Sequence, residues 1–252
     1  MVKNTKTIVT ITLSAIALIA IVALATTEWV SNQEIGEVVV NLDESGNHFV
    51  DETGLRKAIL EVVEESRDSV TNKVVDLALL EKELLRYSFV KEVQASRDIQ
   101  GNLVIDVQQD EPIARVMATS GKGAYISRER NLLPLSKDYT ARVMLITGSG
   151  ADSLLSETFL KGKKGQKISK LIDYVNSDDF LSLQITQLEI SKWMGITLHP
   201  QVGHHRIEFG KAEDFDRKFA KLNTFYEEIV PKKGWNQYKT IKLQFEGQIV
   251  CK

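Results

Sequence analysis

The chain has 252 residues, with 32 Lys and Arg against 34 Asp and Glu, a net charge of −2, and 43 % apolar residues. That balance excludes a general attraction to nucleic acid, which rests on clustered Lys and Arg, and the sparse 4 prolines and 15 glycines exclude disorder as the dominant state. Cys251 is the only cysteine, so no internal disulfide forms and the folded parts depend on ordinary cores.

From Ile8 to Ala25 there is no charged residue, with Lys3 and Lys6 before the run and Glu28 after it. The run is about as long as a hydrocarbon core requires, roughly 17–25 residues, and a helix would satisfy its backbone in lipid. The lysines place residues 1–7 in the cytoplasm, a transmembrane helix over residues 8–27, and the bulk outside. Trp29 reads as an interfacial anchor. The competing reading is a cleaved signal peptide, because Ala23-Leu24-Ala25 has the small-x-small form a signal peptidase accepts; the typical apolar region of such a peptide is shorter, roughly 7–15 residues.

Residues 35–110 read as strand, helix, helix, strand, strand. Glu37 to Leu42 is short and β-branched, and Asp43 to Asn47 ends it with turn formers. Asp51 caps a helix whose Leu55, Ala58, Ile59, Val62 and Val63 form one buried stripe. Asp76 caps a second, with Leu77, Leu80, Leu84 and Tyr87 inward. Phe89 to Ala95 and Leu103 to Val107 are strands joined by the Asp98-Ile99-Gln100-Gly101-Asn102 turn. Two helices on one side of a three-stranded sheet is the economical architecture.

Residues 111–252 predict an α+β unit that is mainly antiparallel β with helices. Ala124 to Ser127 and Leu132 to Ser136 form a hairpin around Arg128-Glu129-Arg130-Asn131, with Asn131 the residue best suited to positive φ. Arg142 to Gly148 is a strand and its exit, and Ser169 to Asn176 a short helix. Ile185–Ile190, Gly195–Leu198 and His205–Phe209 make an antiparallel meander. Asp214 opens an amphipathic helix carrying Phe215, Phe219, Leu222, Tyr226 and Ile229, closed by Pro231 and Gly234. Lys239 to Phe245 alternates strictly, Glu246-Gly247 turns, and Gln248 to Cys251 returns.

Chemistry-bearing groups are few. His204 and His205 with His199 and Glu208 are the one histidine cluster, and His199 and His205 flank a turn and could meet across a hairpin, yet no acid–His motif with ligand spacing appears, so a solvated turn and strand edge is preferred and no metal site is expected. Cys251 lacks a neighbouring base, which disfavours a catalytic thiol. Gly148-Ser149-Gly150 and Lys161-Gly162-Lys163-Lys164-Gly165 lack phosphate-loop spacing; the second reads as a solvated loop. Trp193 and Trp235 lie in turns. No catalytic residues and no cofactor are expected.

The segment Asp76 to Val116 resembles a POTRA domain of the FtsQ/DivIB bacterial cell-division family. The resemblance is carried by Leu79, Leu80 and Leu84, by Tyr87-Ser88-Phe89-Val90, Val93 and Arg97, by Gly101-Asn102-Leu103-Val104-Ile105, and by Glu111-Pro112-Ile113-Ala114-Arg115-Val116. The hairpin is similar to that family except that Ser127 stands where an acid is common and Asn131 where glycine is. Ala220-Lys221-Leu222, Gly234-Trp235 and Ile241 to Val250 resemble the tail of Bacteroidetes-type FtsQ. The resemblance implies a non-catalytic, bitopic scaffold at the division septum in the inner membrane. It would bind FtsB-type and FtsL-type partners and regulate septal peptidoglycan synthesis. A strand at a sheet edge offers unpaired backbone groups to such a partner. The expected surface is Thr240 to Val250, with Thr240, Leu243, Phe245, Gly247, Ile249 and Val250 as contacts, although Ile241, Leu243 and Phe245 read equally well as core. Two alternatives stay open: a general POTRA-containing envelope assembly protein, and a secreted hydrolase with a cleaved leader.

Overall fold

In the computed structural model the described residues are 16–20, 36–43, 52–68, 75–137 and 139–252. Of the expected span 8–27, residues 16–20 are helical with Ile16, Leu18 and Ile19 exposed, and the remainder lies outside the described residues, as do Trp29, the Asp51 cap and the leader alternative. Among the described residues no helix is long and apolar enough to cross a membrane. The chain divides into two compact units, residues 1–109 and 110–252.

The first unit holds β1 (Val38–Leu42), α1 (Glu52–Asp68), α2 (Leu77–Leu84), β2 (Val90–Arg97) and β3 (Leu103–Gln109). Its sheet order is β1-β3-β2, with β1 parallel and β2 antiparallel to β3. Alternation makes β3 the hub: Leu103, Ile105 and Val107 point inward to meet Leu55, Ile59 and Val63 of α1 and Leu80 and Leu84 of α2. The Asp76 carboxylate caps α2 by accepting from the Ala78 and Leu79 amides at 3.0 and 3.1 Å. Asp98 accepts from the Gln100 and Asn102 amides, each at 2.8 Å, and Gly101 takes φ +86° in the turn between β2 and β3. Two expectations are corrected. Tyr87 follows the last turn of α2 and is exposed rather than inward, and Phe89 precedes β2 with φ +72° instead of starting it.

The second unit is a nine-stranded mixed sheet, ordered β12-β11-β10-β9-β8-β7-β4-β5-β6. Its strands are β4 (Pro112–Met117), β5 (Gly123–Ser127), β6 (Leu132–Leu133), β7 (Met144–Thr147), β8 (Ile185–Ile190), β9 (Ile196–Pro200), β10 (Arg206–Gly210), β11 (Thr240–Lys242) and β12 (Val250–Cys251). Most pairings are antiparallel, but β4–β7, β7–β8 and β10–β11 are parallel. Parallel neighbours need crossovers. The one from β7 to β8 carries a 3₁₀ turn (Ala151–Leu155), α3 (Glu157–Lys161), α4 (Lys163–Ser177) and α5 (Asp179–Gln184). The one from β10 to β11 carries α6 (Phe215–Thr224), a π-helical turn (Phe225–Ile229) and α7 (Val230–Lys233).

Both crossovers step the same way from strands of the same direction, so α4 and α6 lie on one face. Tyr174 of α4 stacks on Phe219 of α6 at 4.8 Å and 10°. Ile168, Leu171, Ile172 and Val175 join Phe219 and Leu222 over the inward row of the sheet in a single core. The opposite face is polar: Glu189 meets His199 at 3.0 Å, Glu208 meets Lys242 at 2.8 Å, and the Gln187 amide donates to the Thr147 hydroxyl at 2.7 Å.

Local details depart from the sequence reading for steric reasons. In the β5–β6 turn the residue at positive φ is Arg130, at +69°, and not Asn131; the Asn131 amide instead donates to the Ser127 hydroxyl at 3.2 Å. Lys161 to Gly165 is a helix junction rather than a loop, because α4 starts at Lys163 and Gly165 packs so closely on α3 that a Cβ would lie 2.2 Å from the Phe159 carbonyl oxygen. Gly148, at φ +96°, lies against β8 where a Cβ would fall 2.4 Å from the Ile190 carbonyl oxygen, and Gly150 comes equally close to Ser191. These glycines therefore serve backbone contact between the β7 exit and the β8 exit. A Gly148→Ala variant is expected to lose about 2 kcal/mol or more of stability, measured by chemical denaturation, whereas Gly121→Ala, in open space, costs less.

A candidate partner-binding edge

The C-terminal edge is assembled by backbone pairing. β11 lies parallel to β10, with Ile207 opposite Ile241 and Glu208 opposite Lys242. β12 lies antiparallel to β11, with Ile241 opposite Cys251 and Lys242 opposite Val250. The Thr240 amide donates to the Lys252 carbonyl at 3.0 Å, the Lys252 amide returns to the Thr240 carbonyl at 2.9 Å, and the Lys239 amide adds a second donor at 2.6 Å. Thr240 and Lys252 are thus a hydrogen-bonded pair. By antiparallel alternation Ile241 and Cys251 form the non-hydrogen-bonded pair, so the Cys251 N–H and C=O point away from β11. β12 has no strand beyond it among the described residues.

The six sequence-expected contacts separate by depth. Thr240 and Leu243 are buried, Leu243 in the core at 1 % exposure with its amide donating to the Glu208 carbonyl at 3.0 Å. Ile249 and Val250 are half-buried, and Phe245 and Gly247 are exposed, Gly247 with φ +64°. The strict alternation from Lys239 to Phe245 does not continue as a strand: β11 ends at Lys242 and Phe245 turns out to solvent. The cause is Lys221 on α6. Its ammonium donates to the carbonyls of Leu243 at 2.6 Å, Phe245 at 2.7 Å and Gln248 at 3.3 Å. All three donors of the group are used, and the carbonyls a longer hairpin would pair are drawn onto the helix. Burial, then the neighbouring Arg217, lowers the Lys221 pKa.

Below the other end of β10 lies a buried polar knot. His205 Nε2 and the Tyr226 hydroxyl are 2.9 Å apart, and the Gln184 side-chain amide donates to that hydroxyl at 3.3 Å. Tyr226 sits in the π-helical turn, and burial pushes its pKa up to about 12, with the Gln184 bond opposing. A neutral His205 ring fits: the Tyr226 O–H donates to Nε2 and the ring proton on Nδ1 faces the Trp235 carbonyl. Burial lowers the His205 pKa, opposed by the nearby Trp235 carbonyl. Phe180 and Trp235 pack on Tyr226 at 5.4 and 5.7 Å.

His199 and His205 do not meet. His199 faces Glu189 on the polar side of the sheet while His205 points into the interior. Among the described residues no three His, Cys, Asp or Glu gather in a way that would hold a metal ion. Burial also raises the Cys251 thiol pKa, which disfavours a thiolate. The π-helical knot has no period in the sequence that would reveal it, and nothing local to Lys221 marks it as a donor to the C-terminal segment.

The unit is thus a helix-backed mixed sheet that ends in a two-residue strand with outward backbone groups. A sequence model of the family described as "FtsQ/DivIB, C-terminal related" matches residues 111–252. The match spans more than half of the chain, and the chain belongs to the FtsQ/DivIB family, non-enzymatic scaffolds that act in cell-division complexes. A search of curated proteins finds no significant match.

Lys221→Met leaves three carbonyls without their donor. It is expected to cost about 2 kcal/mol and to speed amide exchange at Leu243 and Lys252 ahead of the core, read by hydrogen exchange. For His205 the folded-state pKa lies below the unfolded value of about 6.5, so the unfolded chain takes up the proton first on acidification. Its contribution is fully present above that pH and is lost as pH falls toward the folded pKa. A His205→Gln variant should show a flatter fall in denaturation midpoint between about pH 7 and pH 5 than the unsubstituted protein.

Proposed function

We propose that the chain is a single-pass scaffold of the division septum that captures FtsB-type and FtsL-type partners by strand addition to β12, and through them regulates septal peptidoglycan synthesis. Residues 8–27 cross the cytoplasmic membrane, residues 1–7 lie in the cytoplasm, and the bulk works in the periplasm. Residues 35–110 serve as a POTRA domain, a reading supported by two helices on one face of the three-stranded sheet.

The observation that carries the binding mode is the outward-facing backbone of Cys251 on a strand with no partner beyond it among the described residues. An added strand would pair with that N–H and C=O. Its side chains would fall alternately beside Ile249 and Cys251 on the helix-covered side and beside Val250 on the other. Phe245, displaced from the sheet by Lys221, stands exposed near that strand end as an apolar contact. Gly247 permits the turn that returns the chain to β12. Thr240 and Leu243 act by holding the edge in place.

The test is Cys251→Pro. Proline removes the outward donor without touching a hydrogen bond between β11 and β12. Co-purification of FtsB-type and FtsL-type partners from the native host is expected to drop about tenfold, with the circular dichroism and melting of the variant unchanged. Retained capture by the folded variant defeats strand addition. Leu243→Pro is the contrasting case: it breaks the bond to Glu208 in the core and is expected to unfold the unit.

A further inference from the structure

A recess in the 110–252 unit is lined by none of the six expected contacts of the edge. It wraps around Trp193, at the tight turn between β8 and β9. One lobe, of about 210 Å³, has an apolar floor of Ile168, Met194 and Ala212 beneath Lys164 and Lys211. The other, of about 510 Å³, runs past Gly195 and Gly210 to Lys218 and Gln244. Both lobes share Trp193, Lys211 and Glu213.

The turn that presents Trp193 is rigid. The Ser191 amide donates to the Gly195 carbonyl and the Met194 amide to the Ser191 carbonyl, each at 2.9 Å; the Gly195 amide donates to the Ser191 hydroxyl, also at 2.9 Å. Met194 takes φ +63° to close it. Trp193 is nonetheless 86 % exposed, with the Lys192 ammonium 5.9 Å from its ring. A large apolar side chain fixed in water by an ordered turn loses little freedom on binding, which is the property of an interface anchor.

The charges are unbalanced. Both carboxylates of the recess are already engaged: Glu213 with Lys167 at 3.8 Å, and Asp214 with Arg217 at 2.6 Å. Lys164, Lys192, Lys211 and Lys218 have no described carboxylate within ion-pair distance. Lys218 is the most exacting of these. It is 4 % exposed, and its ammonium makes one hydrogen bond, to the Lys211 carbonyl at 2.8 Å, and lies 4.5 Å from the Phe209 ring. A buried cation whose nearest carboxylates, Asp214 and Glu213, are already paired with Arg217 and Lys167 favours an anionic group arriving in the recess.

We propose that this recess docks an acidic peptide segment of a partner protein, with an apolar side chain against Trp193 and the Met194–Ala212 floor and flanking carboxylates on Lys211, Lys218 and Lys164. A flat anionic lipid surface fits less well, because Lys218 is recessed and Glu213 and Asp214 line the same walls. This docking is independent of strand addition at β12, from which it differs in both residues and chemistry.

The experiment is selection of a displayed random peptide library on the immobilised whole chain, with a Trp193→Ala/Lys211→Glu double variant of unchanged melting as counter-target. Enriched peptides are expected to carry clustered Asp or Glu around an aromatic or aliphatic residue. Their affinity should fall about tenfold on the double variant, weaken with added salt, and stay unchanged on Cys251→Pro. Enrichment without acidic residues, no enrichment over the double variant, or Trp193-dependent sedimentation with phosphatidylglycerol vesicles in place of peptide binding overturns the proposal.

Discussion

Across the second unit a single line of strand partners, Val116, Ile146, Leu188, Leu198, Ile207, Ile241 and Cys251, keeps its side chains on the helix-covered face. Each is fully or partly buried, and one-residue slippage anywhere along the line would turn an apolar side chain to the polar face. The parallel pairings fit this constraint because two helical crossovers land on the same face and cover the same row. The position of β12 is therefore fixed from the far side of the sheet, through seven strands, before its own few hydrogen bonds contribute.

The two faces divide the work of the sheet. On one, α4 and α6 seal the core, with Tyr174 on Phe219 as their contact. On the other, the Glu189–His199 hydrogen bond and the Glu208–Lys242 ion pair are exposed or half-exposed, and their contribution to stability is small. They give that face a polar surface, in keeping with the proposal that a partner meets the strand edge rather than the sheet face. Lys221 sharpens the same outcome by binding three carbonyls of the segment after β11, so that only a short strand remains at the margin.

Periodicity made most of this architecture legible. The stripe of Leu55, Ile59 and Val63, the alternation of Leu103, Ile105 and Val107, and the meander from Ile185 to Phe209 each report a local period that burial enforces. What escaped was decided by contacts distant in the chain. The parallel partners of β7 and β11 leave no local mark, since alternation is the same in either direction. The outward turn of Phe245 follows from a lysine 24 residues away, and the basic Lys161 to Gly165 run hides a helix junction whose need for glycine comes from α3. At the candidate edge, the location at the end of the chain was readable, but not which residues were core and which surface. Thr240, Leu243 and Phe245 differ in depth only because the chain leaves the sheet after Lys242.

The parallel pairing of β10 with β11 also orders events in time. β11 cannot dock until the connection from Phe215 to Lys233 has folded back over the sheet, and β12 pairs with β11 alone. Such long-separation pairing is slow compared with hairpin closure. The edge therefore depends on that connection, and a chain in which residues 215–233 do not yet cover the sheet has no β12 to offer. Edge formation becomes a built-in report that the β10-to-β11 crossover has closed, so a partner adding a strand at β12, as proposed above, would meet only molecules in which that crossover is complete.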